Sequence, residues 1–415
     1  MSTVPDAKVR TGRFPRPTTE EAVKPAKKDA PERRGFGLCL SGGGYRATLY
    51  HLGATRRLHE LGALDRVDTI SSVSGGSIFA AKLADLAMEH DWEDGLAIQN
   101  FDELAHKVRE LTSHDLRTTS MVWPGPGAKH VQHLLTRYGT KNRLRDLPKR
   151  PDFVFCATDM TYGICWEFSR TMSGSYEFRD AEDPDDWPVA FAVAASACFP
   201  PLFRPLPVHS RLVGTDKKIG RKQVEPDGHR STYLSDGGVY DNLGLEPVWK
   251  KRAQVLVSDA GAPMEKATYR NRPIKGLLRY GTVARGQTRA LRLRIFNTQL
   301  DGDVYDGAYW DIGTRDHKPA VGYSKDLIDD HIQWIRTDLD RFTEDEQKIL
   351  ENHGYWSVEE QFRRDRVRDQ LGAILADTVP DPEAPHEEFM DEDRVRQALR
   401  HSKSRFWPPR MLHLS

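Results

Sequence analysis

The chain has 415 residues, and its 61 lysines and arginines are balanced by 61 aspartates and glutamates. That length supports a large buried core, and the balanced charge argues against a dedicated nucleic-acid binder while leaving room for local basic patches. Four scattered cysteines (Cys39, Cys156, Cys165, Cys198) form no CxxC pair and no zinc-ligand spacing, so they read as buried, reduced thiols in a reducing compartment.

Residues 1–34 are rich in Pro, Lys, Arg and Thr and carry no apolar core of a signal peptide, which predicts a mobile basic tail. No stretch reaches the ~18 apolar residues of a membrane span, so the expected location is the cytoplasm, with any membrane contact peripheral. Order is predicted to begin near Gly35. "FGLCLS" (36–41) is a short apolar strand, and 45–64 places Ala47, Leu49, Leu52, Leu58 and Leu61 at helical spacing. A β-branched strand (67–74) and a buried helix opening on two glycines (75–88) follow. Residues 105–150, rich in Lys, Arg and His, read as an insertion over the core and a candidate lid. Further strands are expected at 152–160 and 253–260, an amphipathic basic stretch at 272–296, and a capped helix from Thr343. Strands alternating with helices imply an α/β fold, a mostly parallel sheet with helices on both faces. The expected organisation is a tail (1–34), a main domain (35–360) and a charged, mainly helical C-terminal extension (361–415).

"GLCLSGGGYRATLYHLG" (37–53) sets three glycines between a strand and a helix, where something must approach bare N–H groups closely. A phosphate cradle is disfavoured. No GK[ST] follows Gly44, and Ala47 stands where a dinucleotide fingerprint has its third glycine. The remaining use of such N–H groups is an oxyanion hole, which needs a nucleophile nearby.

"SSVSGGS" (71–77) supplies one, with Ser74 at a strand-to-helix turn and Gly75 and Gly76 behind it. Such turns also open many helices as plain caps. The histidines (His51, His59, His106, His114, His130, His133) do not follow strands as a triad base would, which leaves an aspartate. Asp236, followed by Gly237 and Gly238, ends a short strand; Asp-Gly-Gly is also a hairpin signal, but the flanking residues lead toward a helix here.

A glycine loop, an S-x-S-G-G elbow and a D-G-G turn, in that order, resemble the patatin-like phospholipases, related to cytosolic phospholipase A2. "FCATDMTYG" (155–163), "AVAASACFPPLFRPL" (192–206) and "GGVYDNLGLEPV" (237–248) are similar to further family segments; Ser72 and Ala47 depart from it, each replacing a glycine. The resemblance implies a three-layer α/β/α fold, a Ser74–Asp236 dyad without histidine, and an oxyanion hole on Gly42, Gly43 and Gly44. It also implies supporting roles for Arg46, Gly76, Gly237 and Gly238, and for Asp241 and Asn242 as braces of the loop. The implied activity is hydrolysis of fatty-acyl esters of phospholipids or lysophospholipids through an acyl-enzyme, with no metal or cofactor required. A phospholipid or membrane surface would be the partner. Other esters as substrates, or a non-catalytic lipid-binding module on the same fold, are the alternatives.

Overall fold

The computed structural model describes residues 33–89, 100–117, 127–175, 178–180, 187–200, 203–210, 212–214, 230–264, 273–313 and 321–403. All but the end of the expected N-terminal tail lies outside them.

Among the described residues eleven strands form one sheet. In chain order they are β1 (Phe36–Leu40), β2 (Thr69–Val73), β3 (Asp152–Asp159), β4 (Ile164–Ser169), β5 (Met172–Gly174), β6 (Phe178–Asp180), β7 (Leu206–Ser210), β8 (Leu212–Gly214), β9 (Arg230–Asp236), β10 (Gln254–Asp259) and β11 (Asp306–Asp311). The helices are α1 (Gly44–Glu60), α2 (Gly75–Glu89), α3 (Phe101–Thr112), α4 (Gly127–Leu134), α5 (Val189–Ser196), α6 (Pro273–Asp301), α7 (Lys325–Asp330), α8 (Glu344–Phe362), α9 (Asp365–Leu371) and α10 (Glu392–Leu399). The five strands β11-β10-β1-β2-β3 run parallel, and the sheet continues antiparallel from β3 through β4, β5, β6 and β8. Strand β9 pairs antiparallel with β3 and β7.

Strands β1 and β2, and nearly all of β3 and β10, are buried on both faces, as a sheet covered on two sides requires. Alternate side chains divide between two clusters. Leu38, Leu40, Ile70 and Leu256 enter the main core with α1 and α2. Cys39, Val255 and Val257 pack on the opposite face with Leu243, Val248, Phe296 and Leu300. From β1 the chain proceeds to β2 and β3 on one side, and only later adds β10 and β11 on the other. The crevice at the carboxyl ends of β1 and β10 is therefore a topological switch point, where open α/β sheets bind ligands.

Helix α1 is the central pillar of the main core. Gly53 lies so close to α8 that an added Cβ would strike the Glu351 carbonyl, and Gly354 of α8 lies equally close to Tyr50. Reciprocal glycines let the two backbones touch where any side chain would part them. The contact is locked by Glu351, whose carboxylate is enclosed and receives Arg56 at 3.0 Å, Arg109 at 2.5 Å and His386 at 3.0 Å. Burial alone would raise this acid, but the surrounding cations hold it down at about 2.

Three expectations change here. The described parts of 105–150 are woven into the core: Ala105, Val108, Leu111, Leu116, Val131, Leu135, Leu144 and Leu147 are buried in the main cluster. Their charged residues mark the outer sides of amphipathic segments, which a count of Lys, Arg and His mistakes for a separate insertion. The stretch beyond 360 likewise gives Phe362, Val367, Leu371, Ile374, Phe389, Val395 and Leu399 to that cluster. The expected helical start after Asp236 is also shorter than its pattern suggests. Gly237–Val239 is one 3-10 turn, and hydrogen-bonded turns centred on Leu245 and Val248 follow.

Candidate active site

The glycine loop leaves β1 and enters α1 through two residues with positive φ, Gly43 (152°) and Gly44 (59°). A Cβ on Gly43 would lie 2.7 Å from the Ala260 carbonyl, and one on Gly44 2.5 Å from the Asp338 carbonyl, so the loop is wedged between two backbones. The three N–H groups are not equivalent. That of Gly42 donates to the Asn242 carbonyl at 3.1 Å, and the next one along the helix, Tyr45 N–H, donates to the Asp338 carbonyl at 2.9 Å. No side chain caps α1 at Gly43. Gly43 and Gly44 are thus left as the open donors among the described residues, at the positive end of a helix dipole. Of the three glycine N–H groups, that of Gly42 is committed to holding the Asn242 loop.

Ser74 stands on the turn between β2 and α2 with φ 51°, in the left-handed region. Asp303 is the other non-glycine residue there among the described residues. A serine in this conformation stores strain of order 1 kcal/mol and needs a surrounding that fixes it. The surrounding is a network of hydroxyls. Ser74 N–H donates to Ser196 Oγ at 2.9 Å, and Ser196 Oγ donates to the Cys156 carbonyl at 2.6 Å. Ser77 Oγ lies 2.9 Å from Ser196 Oγ and 3.1 Å from Ser72 Oγ, which donates to the Val154 carbonyl at 3.2 Å. Ser72, at the place of a family glycine, is therefore a bonded member of the elbow's base. Gly75 and Gly76 lie against the Gly44 and Leu40 carbonyls, where a Cβ would collide. Ser196 carried no signal in the sequence. It sits in an alanine-rich helix 122 residues away, and only the fold brings it under the elbow.

Asp236 ends β9, opposite Ala157 of β3, and is buried. Its Oδ1 accepts the Gly238 N–H at 2.7 Å, while its buried Oδ2 has no hydrogen-bond partner among the described residues. Burial pushes the Asp236 carboxyl up to about 6; the Gly238 N–H, the Ser74 hydroxyl and the Arg285 guanidinium oppose that rise. Gly237 packs on the Cys156 carbonyl, and a Cβ on Gly238 would crowd Asn242 Oδ1 at 2.5 Å. Asp241 accepts the Leu243 and Glu246 N–H groups at 3.0 Å each, and so braces the loop that follows.

Arg46 is fully enclosed. It donates to the carbonyls of Gln333 (3.0 Å), Ile335 (2.7 Å) and Ala260 (2.6 Å), tying α1 to the loops on either side of the crevice. Burial pulls its guanidinium down to about 9, against the pull of Asp259. These contacts commit Arg46 to holding the loops around the crevice.

Ser74, Asp236, Gly42, Gly43, Gly44 and Gly238 line one cavity of about 540 Å³. Its walls are apolar at Phe199, Phe203, Met264 and Leu339, and α6 contributes Thr282, Arg285, Gln287 and Arg289. Arg289 is committed to Asp259, at 2.5 Å. Arg285 lies over the Phe199 ring, 4.5 Å from its centroid.

A family model described as patatin-like phospholipase matches residues 38–249, just over half of the chain. The chain belongs to the patatin-like phospholipase family. No curated protein matches the chain in sequence. Among solved structures it is similar to human GIVD cytosolic phospholipase A2, at 14% identity and a TM-score of 0.46, over 89% of this chain and 60% of that one. The same human enzyme with a methyl γ-linolenyl fluorophosphonate inhibitor and terbium chloride gives 13% identity and a TM-score of 0.48, over 92% and 62%. VipD from Legionella pneumophila gives 14% identity and a TM-score of 0.32, over 82% and 67%. This patatin-like chain thus spans about three fifths of the human chains it resembles. No helix among the described residues is long and apolar enough to cross a membrane.

Proposed function

We propose that the protein is a serine acyl hydrolase that cleaves fatty-acyl esters of phospholipids or lysophospholipids through Ser74 and Asp236. The observation that carries this reading is the shared cavity: a strained serine, a buried aspartate with one unpartnered oxygen, and two open N–H groups converge there. Family membership supports this reading at the level of lipid acyl hydrolysis.

In the proposed cycle Asp236 Oδ2 accepts the Ser74 proton as Ser74 Oγ attacks the ester carbonyl. A pKa near 6 leaves the carboxylate ionised at neutral pH, yet makes it a stronger base than a solvated aspartate. The tetrahedral oxyanion forms against the Gly43 and Gly44 N–H groups, each such donor being worth about 3 kcal/mol. Protonated Asp236 returns its proton to the departing alcohol, which leaves an acyl-Ser74 ester. Water then gives a proton to Asp236 and adds to that ester, and as the second intermediate collapses to release the fatty acid, Asp236 returns that proton to the departing Ser74 oxygen. The apolar walls at Phe199, Phe203 and Met264 suit an acyl chain. The test is fatty-acid release from long-chain phospholipid vesicles by the parent, Ser74→Ala and Asp236→Asn. Release lost in both variants supports the dyad. Release by Ser74→Ala equal to that of the parent overturns it.

A further inference from the structure

Helix α6 has two unlike sides. Its inner side is fixed by ion pairs, Arg289 on Asp259 at 2.5 Å and Arg292 on Glu246 at 3.1 Å, and by the burial of Phe296 and Leu300. Its outer side carries Tyr280 (65% exposed), Val283 (37%), Leu291 (52%) and Ile295 (44%). Nine large apolar side chains are exposed among the described residues; four are these, and a fifth is Met264 in the cavity wall. Positions 280, 283, 291 and 295 share one helix face, so the exposure is a stripe rather than a scatter.

The charge of the helix is one-sided. From Pro273 to Leu300 it carries six lysines and arginines and no acidic residue. The guanidinium groups of Arg279 and Arg294, which flank the stripe, have no ion pair or hydrogen bond among the described residues. A second copy of the chain would set this cationic face against itself in a two-fold contact, which like charges oppose. An apolar stripe edged by unpaired guanidinium groups matches the acyl layer and phosphates of an anionic lipid surface.

We propose that the outer face of α6 seats the protein on an anionic membrane. Tyr280, Val283, Leu291 and Ile295 enter the interfacial layer, and Arg279 and Arg294 meet headgroup phosphates. The inference rests on the acyl-hydrolase reading, because the same helix supplies Thr282, Arg285 and Gln287 to the cavity and so joins the lipid source to the cleft.

The test is flotation of the full chain, carrying Ser74→Ala to keep the lipid intact, with phosphatidylcholine vesicles with and without phosphatidylglycerol. The expected result is recovery on the phosphatidylglycerol vesicles that weakens as salt is raised. Adding Leu291→Glu and Ile295→Glu should lower that partition about tenfold or more. The same pair of substitutions with Ser74 intact should leave hydrolysis of a soluble short-chain ester unchanged. Absence of binding by the parent, or equal binding by the double variant, overturns the proposal. Sedimentation showing that the double variant splits an oligomer while vesicle binding persists assigns the face to a second copy instead and also overturns it. Failure of the acyl-hydrolase reading is distinguishable, because it would appear as no turnover of the soluble ester.

Discussion

Two helices border the cleft, and they are built for opposite surroundings. Helix α1 is buried nearly all round, and even its polar side chains are enclosed: Arg46 holds three carbonyls, and His51 lies between Ser258 Oγ (2.8 Å) and the Ser41 carbonyl (2.9 Å). Helix α6 is anchored on one side and bare on the other. The sequence reads the first as a helix with apolar periodicity and the second as an amphipathic basic stretch, and neither pattern says which arginines are enclosed. The difference lies in what each arginine faces. An arginine aimed at backbone carbonyls fixes the glycine loop, while one whose guanidinium has no partner leaves a surface ready for something outside the chain.

That comparison can be broken from the α1 side with large effects. Gly53→Leu places a side chain inside the α8 backbone and should abolish soluble folded protein, read by circular dichroism and expression yield. Arg46→Ala leaves three buried carbonyls unpaired and should cost about 3–5 kcal/mol in denaturant unfolding. Retention of parental stability by either variant would mean that α1 is not the rigid wall described.

Acid should act on the same pillar. Glu351 is held at about 2 in the fold, below its ordinary value of 4.5, so its stabilisation is complete above 4.5 and is lost as pH falls from there toward 2. Buried His51 and His353 are pulled from 6.5 down to about 4 by desolvation, so unfolding gains protons as pH falls between those values and stability drops there as well. Asp236 and Asp340, pushed up to about 6 by burial, act in the opposite sense to the two histidines, so the clean readout is the difference between variants: in chemical unfolding Glu351→Gln should lose less stability than the parent as pH falls from 4.5 toward 2.

Smaller effects sharpen the comparison at the elbow and on α6. Ser196→Ala removes the acceptor for the Ser74 N–H and should cost about 1–2 kcal/mol while lowering kcat more than it changes KM. On α6, Leu291→Glu should leave the unfolding midpoint within about 0.5 kcal/mol of the parent, because its side chain is half in water already. A large destabilisation there would show that the face is covered within the chain itself.

The sequence carried the parts of the site that are local. The glycines after β1, the serine on the β2–α2 turn and the aspartate ending β9 each stand at an element boundary with a small-residue signature. The parts it did not carry depend on long-range contact. The Gly42 N–H is spent on Asn242, 200 residues away in sequence, so a glycine triplet alone cannot say which N–H groups stay open. Ser196 lies in an alanine-rich helix with nothing to distinguish it from a packing residue. Residues 105–150 appeared separate because charge was counted without the apolar positions between the charges. The basic stretch at 272–296 was visible as such, but which of its arginines face carboxylates was not.

The central claim is that Ser74 is the nucleophile and Asp236 its base. The measurement that tests it most directly is mass-spectrometric mapping of the residue modified by a fluorophosphonate, with the labelling rate followed across pH 4–8. The account predicts a single adduct on Ser74, with a rate that falls about tenfold per unit below an apparent pKa near 6 and is lost in Asp236→Asn. An adduct on another residue, or a rate indifferent to both pH and Asp236, would contradict it.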